Sequence, residues 1–90
     1  MSNMSSMEKL ALLNLVGRRI KQIRENKGLA QLDVAVRMEG NIDATNISRI
    51  ESGRTNPTIY TLFRISQALE VSISDLLSIE YPNSMKNDEV

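Results

Sequence analysis

The stretch from Gly28 to Arg54 constrains the fold of this chain more than any other part of its sequence. It reads GLAQLDVAVRMEGNIDATNISRIESGR, with a Gly40-Asn41 pair near its middle. A glycine followed by an asparagine breaks helices and favours turns. On both sides of that pair, apolar residues recur three or four positions apart, as on the buried face of a helix: Val34, Ala35, Met38, Ile47 and Ile50. The pattern therefore predicts two short helices joined by a turn.

The second of these helices begins with a row of small, polar and basic side chains. Asp43 is a good N-cap, and the exposed residues that follow it are Ala44, Thr45, Asn46 and Arg49. When a helix enters the major groove of DNA by its N-terminal end, its first turn and the residue one turn later reach the base edges. Arginine can donate two hydrogen bonds to guanine, and methyl groups suit thymine. These four residues are the candidate base-reading set, with an ordinary solvated helix face as the alternative.

The remainder of the chain shows helical spacing and no strand pattern of useful length. We therefore predict an all-α fold, a compact bundle of about five short helices that contains a helix-turn-helix. Ser5 and Glu8 form a capping-box pattern that predicts the start of the first helix, with residues 1–4 outside it. Gly28 predicts its end. The pattern leaves open whether residues 7–13 continue this helix or form a separate turn.

Two later signals predict where the last helices begin. Thr58 follows Pro57 and is the predicted N-cap of the fourth helix. Ser74 is the predicted N-cap of a short last helix that runs from Asp75 to about Ile79. We expect three segments along the chain: a partly helical N-terminal extension at 1–14, a helix-turn-helix domain at 15–80, and a polar flexible tail at 81–90.

Composition excludes several classes of function. The chain has 90 residues, enough for one domain with a single core, and it contains no Cys and no His. The commonest metal ligands and the commonest general base are therefore missing. Since no carboxylate pair stands out either, we expect no enzyme, no metal and no cofactor. The sequence also has no apolar run long enough to span a membrane and no visible signal peptide, which predicts a cytoplasmic protein.

The charge is distributed unevenly although the formal net charge is zero. Residues 15–64 carry nine basic and five acidic side chains, a net of +4, whereas residues 65–90 carry one lysine and five acids, a net of −4. A basic body of this kind is the electrostatic pattern expected of a nucleic-acid-binding surface. The distribution of charge along the chain therefore favours DNA binding, although the net charge of zero does not.

Taken together, these landmarks resemble the lambda-repressor-like domain of phage repressors, Cro and the Xre-type regulators. In the family pattern, a first helix ends in a basic, Gly-Leu-containing run, and an Ile-Ser-x-Ile-Glu-x-Gly segment follows the turn. The matching residues are Ile20, Ile23, Arg24, Lys27, Gly28, Leu29, Gln31, Val34, Ala35, Ile47, Ser48, Ile50, Glu51, Gly53, Pro57, Leu62, Ile65, Ser66, Ala68, Leu69 and Val71. The resemblance covers about residues 15–79.

Two features depart from that family pattern. The link between Ala35 and Ile47 is about two residues longer than usual, which predicts a longer turn at Gly40-Asn41 and leaves the base-contact register open by one residue. Position 30 is alanine, where the family often has Ser or Thr as a helix cap. We therefore expect a weaker start for the second helix.

The resemblance also implies roles for residues around the base-reading set. Gln31 resembles the family glutamine that binds a DNA phosphate and braces the recognition helix. Arg24 and Glu51 occupy positions that form an ion pair between the first and third helices. The loop after the recognition helix would run beside the DNA backbone. The residues expected to contact DNA phosphates there are Arg54, Thr55 and Asn56.

Proteins of this kind usually bind palindromic sites as dimers, because one small module buries little DNA-facing surface. The predicted homodimer interface is the apolar set near the end of the chain: Ile73, Leu76, Leu77, Ile79 and Tyr81. A second stripe, formed by Met7, Leu10 and Leu13, could be core or a further dimer contact.

The sequence thus predicts a transcriptional regulator that binds a palindromic operator in double-stranded DNA as a homodimer. A restriction–modification controller or a small phage-type repressor fits the size. The alternative is an antitoxin-type or other protein-interaction module of the same fold, which binds a toxin or another regulator protein. An acidic or apolar recognition helix would mark that alternative, and Arg49 argues against it.

Overall fold

The computed structural model describes residues 2–40 and 42–81, which form five helices and no strands. The helices are α1 (Ser2–Asn26), α2 (Gln31–Met38), α3 (Ala44–Glu51), α4 (Ile59–Leu69) and α5 (Ile73–Leu76). The all-α prediction is therefore confirmed, as is the pair of short helices separated by a turn. Asn41 and the predicted polar tail from residue 82 onward lie outside the described residues.

The first helix is longer at its N-terminus than the sequence predicted. It begins at Ser2 and continues through residues 7–13 without a break. Residues 7–13 therefore belong to this helix and do not form a separate turn. The prediction that it starts at Ser5 was wrong, because Ser5 lies inside it. At the other end, Gly28 has φ +71°, the left-handed conformation of a residue that closes a helix.

Small residues let α1 and α3 approach each other closely. A Cβ added to Gly17 of α1 would lie 2.4 Å from the carbonyl oxygen of Glu51 and 2.5 Å from that of Ile50. Only glycine leaves room for this contact of backbone against backbone. Around it, the core is made of side chains from all five helices that are buried almost completely, including Ile20, Val34, Ile47, Ile65, Leu69 and Leu76.

Side-chain caps fix where α3 and α4 begin. The Asp43 carboxylate accepts a hydrogen bond from the Asn46 N–H at 3.0 Å, as predicted for the N-cap of α3. Thr58 accepts in the same way from the Thr61 N–H at the start of α4. The side chain of Ala30 cannot cap α2, and there the Asp33 carboxylate accepts from the Ala30 N–H at 2.7 Å instead. The predicted weakness of that helix start is therefore partly offset.

The last helix begins and ends earlier than predicted. Its N-cap is Ser72 rather than Ser74: the Ser72 hydroxyl accepts from the Asp75 N–H, and the Asp75 carboxylate accepts from the Ser72 N–H. The helix ends at Leu76 instead of near Ile79. Leu76, the last residue of the helix, lies in the core and has no exposed surface.

Candidate nucleic-acid interface

The third helix divides sharply into a buried and an open side. Ile47 and Ile50 are buried in the core, whereas Thr45 and Arg49 are exposed and lie one turn apart on the opposite side. Ala44 and Asn46, the other two predicted base-reading residues, are half-buried. The structure thus places Ala44, Thr45 and Asn46 in the first turn of α3 and Arg49 in its last turn, with Thr45 and Arg49 the most open of the four.

An open groove of about 290 Å³ lies between α3 and the loop that follows it. Arg49 and Asn46 line its helix side, and Thr55 and Asn56 line its loop side. Residues predicted separately as base-reading and phosphate-binding candidates are therefore brought to one surface. The loop is held against the helix end, because the Arg54 N–H donates to the Arg49 carbonyl at 2.9 Å.

A buried ion pair between Arg24 and Glu51 joins α1 to α3. Arg24 donates from Nε to Glu51 Oε2 at 2.6 Å and from Nη2 to Glu51 Oε1 at 2.9 Å. A third bond runs from Arg24 Nη1 to the Leu29 carbonyl at 2.7 Å, so the guanidinium also ties down the chain before α2. Both side chains are buried, and the paired geometry satisfies them.

The charge of Arg24 is secured by this arrangement. Its hydrogen bond to Glu51 raises the pKa of the Arg24 guanidinium above its ordinary value, and the negative charges of Glu51 and Glu25 act in the same direction. Burial opposes this effect by disfavouring the charged form, but it does not outweigh the hydrogen bond. The Arg24 guanidinium is therefore held in its charged form by its partners.

Gln31 extends the pair to α2. Its Nε2 donates to Glu51 Oε1 at 3.0 Å, so Glu51 receives hydrogen bonds from two different helices or their flanks. An amide nitrogen carries two N–H groups, and one remains for another acceptor. A small open groove beside Gln31 is also lined by Lys21, Ser48 and Ser52. Gln31 is therefore both a brace for α3 and part of a polar surface next to it.

The comparisons with known proteins agree with this geometry. A family model described as helix-turn-helix matches residues 20–76, more than half of the chain. The chain belongs to this family.

Other regulators of this helix-turn-helix family resemble the chain over most of its length. An uncharacterised HTH-type transcriptional regulator of Sinorhizobium fredii is 39% identical over 64 residues, which cover 71% of this chain and 80% of that protein. The crystal structure of the restriction-modification controller C.AhdI from Aeromonas hydrophila matches with a TM-score of 0.67 at 25% identity, over 71% of this chain and 94% of the other. These relatives are regulators and not enzymes.

A second solved controller is similar as well. C.Esp1396I, crystallised as a tetramer in complex with its natural 35-base-pair operator, matches with a TM-score of 0.62 and 40% identity. The match covers 74% of this chain and 96% of that one. The resemblance predicted from short motifs is thus confirmed over the whole helix-turn-helix region.

One basic residue beside the helix-turn-helix, Lys21, was not identified from local sequence patterns. It lies at the groove shared with Gln31 and Ser48, next to the start of α2. Its position on α1, ten residues before Gln31, gave no sequence signal, since the closeness depends on how α1 and α2 each pack against α3.

The apolar residues predicted as a dimer interface do not all face outward. Leu76 has no exposed surface and is a core residue, so its assignment to the interface was wrong. Leu77 is 44% exposed, and Ile73, Ile79 and Tyr81 are half-buried. On α1, Met7 and Leu10 are exposed, while Leu13 is half-buried. In the described part of the chain, no helix combines the length and apolarity needed to cross a membrane.

Proposed function

We propose that this protein reads operator DNA as a homodimer, with α3 of each protomer in the major groove. The observation that carries the proposal is the orientation of α3: Thr45 and Arg49 face solvent, while Glu51 on the same helix is locked to Arg24 and Gln31. An exposed polar face on a rigidly held helix is what base reading requires, because side chains must meet base edges without reorganisation.

Arg49 and Thr45 supply the proposed base contacts. The Arg49 guanidinium would donate to O6 and N7 of guanine, a preference worth about 1–3 kcal/mol. The Thr45 methyl group would contact a thymine methyl. Ala44 and Asn46 are half-buried. They would contact a base or a phosphate only where the wall of the DNA major groove comes close to the start of α3.

Phosphate contacts would flank the reading helix on both sides. Gln31 and Lys21 form one candidate site, beside the N-terminus of α2, where the helix dipole also favours an anion. Arg54, Thr55 and Asn56 form the other, beyond the C-terminus of α3. Such contacts fix the register of the protein on the duplex and make its affinity fall as salt rises.

Dimerisation would use the apolar surface beside α5. A groove of about 330 Å³ is lined by Leu77 and Ile79 and by Leu12 and Leu13 of α1. Of the N-terminal stripe Met7, Leu10 and Leu13, only Leu13 borders this groove. Two-fold pairing through this surface would match a palindromic operator. The tetrameric, operator-bound state of the related controller C.Esp1396I supports an oligomeric reader. A reader of operator DNA in bacteria or phage-infected cells acts in the cytoplasm, where we place this protein.

Selection of DNA from a random pool with the purified protein tests the proposal. An enriched inverted repeat, bound with two protomers per duplex in sedimentation measurements, is the expected result. Enrichment of a single half-site with one protomer would contradict the homodimer. Absence of any enriched sequence would contradict DNA reading itself and favour the alternative of a protein partner.

A further inference from the structure

Two arginines tie α2 and α4 together through backbone carbonyl groups. Arg37 of α2 donates from Nη1 to the Ala68 carbonyl near the end of α4, at 2.9 Å. In the opposite direction, Arg64 of α4 donates from Nη2 to the carbonyls of Met38 and Glu39 at the end of α2. The C-terminal end of a helix has carbonyl groups without a partner inside the helix, and α2 and α4 each satisfy some of those on the other.

The two arginines differ in what they hold. Arg37 reaches a helix end that leads away from the recognition helix. Arg64 binds the carbonyls of Met38 and Glu39, where the turn that leads into the recognition helix begins. That turn opens with two successive residues of positive φ, Glu39 at +64° and Gly40 at +82°, and Glu39 has ψ 168°, a combination that favours glycine.

The surroundings of Arg64 fix its guanidinium in this position. The Tyr60 ring, one turn earlier on α4, lies 5.9 Å from the guanidinium carbon, within the range of a cation–π contact. On the other side, a Cβ on Gly40 would lie 3.5 Å from Nη2, so the turn packs directly against it. Arg64 is half-buried, and its Nη2 group donates to two backbone carbonyls of the turn.

We propose that Arg64 is a positioning residue for DNA reading, which sets the orientation of α3 by clamping the start of the α2–α3 turn against α4. The longer link between Ala35 and Ile47 gives the reason for such a clamp. A longer turn leaves more ways for α3 to be placed relative to α2, and the guanidinium selects one of them. This inference rests on the proposed role of α3 as the reading helix.

The matched pair Arg64→Met and Arg37→Met tests the proposal. Both changes remove one positive charge and the same kind of arginine-to-carbonyl bond between α2 and α4. Only Arg64→Met frees the turn. We expect Arg64→Met to lower the ratio of operator to random-sequence affinity about tenfold, the value of one well-placed base contact. Arg37→Met should leave that ratio unchanged. Equal ratios in the two variants overturn the proposal.

The salt dependence of binding separates positioning from a direct phosphate contact. A lost phosphate contact reduces the salt slope by about one and weakens binding to all sequences alike. Arg64→Met and Arg37→Met are expected to share one salt slope for random-sequence DNA. A smaller slope in Arg64→Met alone overturns the positioning role. All affinities are measured below the melting temperature of each variant, with folding checked by circular dichroism.

A measurement without DNA keeps this inference separate from the proposed function. Residual dipolar couplings of the free protein report the angle between α3 and α4. Arg64→Met should rotate α3 by more than about 10°, the tolerance of a preorganised site, and Arg37→Met should not. If the wild-type chain selects no DNA, the proposed function fails, and these couplings still decide whether Arg64 positions α3. An unchanged angle overturns the clamp.

A conservative variant covers the case in which Arg64→Met does not fold. Arg64→Lys keeps the charge, but an ammonium lacks the rigid planar fork that a guanidinium offers to two carbonyls and a ring. We expect a lowered operator-to-random affinity ratio with an unchanged salt slope. Wild-type discrimination together with a wild-type helix angle in Arg64→Lys overturns the proposal.

Discussion

Replacing Glu51 with glutamine tests the anchor of the recognition helix with almost no change in shape. In the native protein, Glu51 accepts two hydrogen bonds from Arg24 and one from Gln31. A glutamine offers only one acceptor oxygen, and its amide group would face the donors of Arg24 or Gln31. Glu51→Gln therefore leaves the Arg24 charge, which is 7% exposed, with only the exposed Glu25 carboxylate, 4.0 Å from Nη2, as a counter-charge.

The size of the effect follows from that burial. Breaking a buried ion pair by removing one partner costs about 3–5 kcal/mol, and the Leu29 carbonyl still accepts one bond from Arg24, so we take about 3 kcal/mol. For a domain of this size, that loss lowers the melting temperature by roughly 12–24 °C. Urea unfolding followed by circular dichroism measures the free energy of unfolding directly.

A double replacement provides the control for this experiment. Arg24→Met combined with Glu51→Leu removes both charges, so no charge is left buried without its partner, and only the part-buried Gln31 amide and Leu29 carbonyl lose a hydrogen bond. Most of the lost stability should therefore return. A Glu51→Gln variant within about 0.5 kcal/mol of the wild type, the range of ordinary surface changes, would refute the reasoning. Equal losses in the single and double variants would refute the attribution to an uncompensated charge.

Three further predictions follow from the same structure. Gly17→Ala should destabilise the fold by about 1–3 kcal/mol, the cost of overpacking, because its Cβ would meet the Glu51 carbonyl oxygen at 2.4 Å; a wild-type unfolding free energy would contradict that close approach. Ser72→Ala should lower the free energy of unfolding by about 1 kcal/mol through loss of the α5 cap, whereas Ser74→Ala should lower it much less. Urea unfolding measures both, and the reverse order would support Ser74 as the N-cap. The stabilisation by Arg24 should not vary between about pH 6 and 9. Because the folded state raises the pKa of Arg24, the stabilisation is fully present below the ordinary arginine pKa of the unfolded chain and is lost only above the higher folded pKa. A difference between wild type and Arg24→Met that shrinks as pH rises through that window would contradict this sign.

Local patterns predicted the middle of the chain well because several signals agreed there. The turn at Gly40, the caps Asp43 and Thr58, and the buried residues of α2 and α3 all follow from spacing and turn chemistry. The start of α5 was predicted wrongly, although Ser72 and Asp75 form a capping-box pattern in the sequence. Ser5 and Glu8 also form that pattern, yet they lie inside α1, so the pattern alone does not fix a helix start.

What the sequence could not supply depends on contacts between distant residues. Leu76 looked like an interface residue because helical spacing identifies an apolar face but not what covers it. The roles of Lys21 and Arg64 depend on how helices cross, and Arg64 lies 26 residues from the Met38 carbonyl that it binds. Closeness of that kind has no local sequence signal.

The central claim, that Arg49 reads a base from the major groove, is tested most directly by measuring operator and random-sequence affinities for Arg49→Ala and Arg18→Ala over a range of salt concentrations. Both variants lose one exposed positive charge. Arg49→Ala should weaken operator binding by about 1–3 kcal/mol beyond its effect on random DNA, and Arg18→Ala should weaken both alike. Equal loss on the two DNAs in Arg49→Ala would contradict the account.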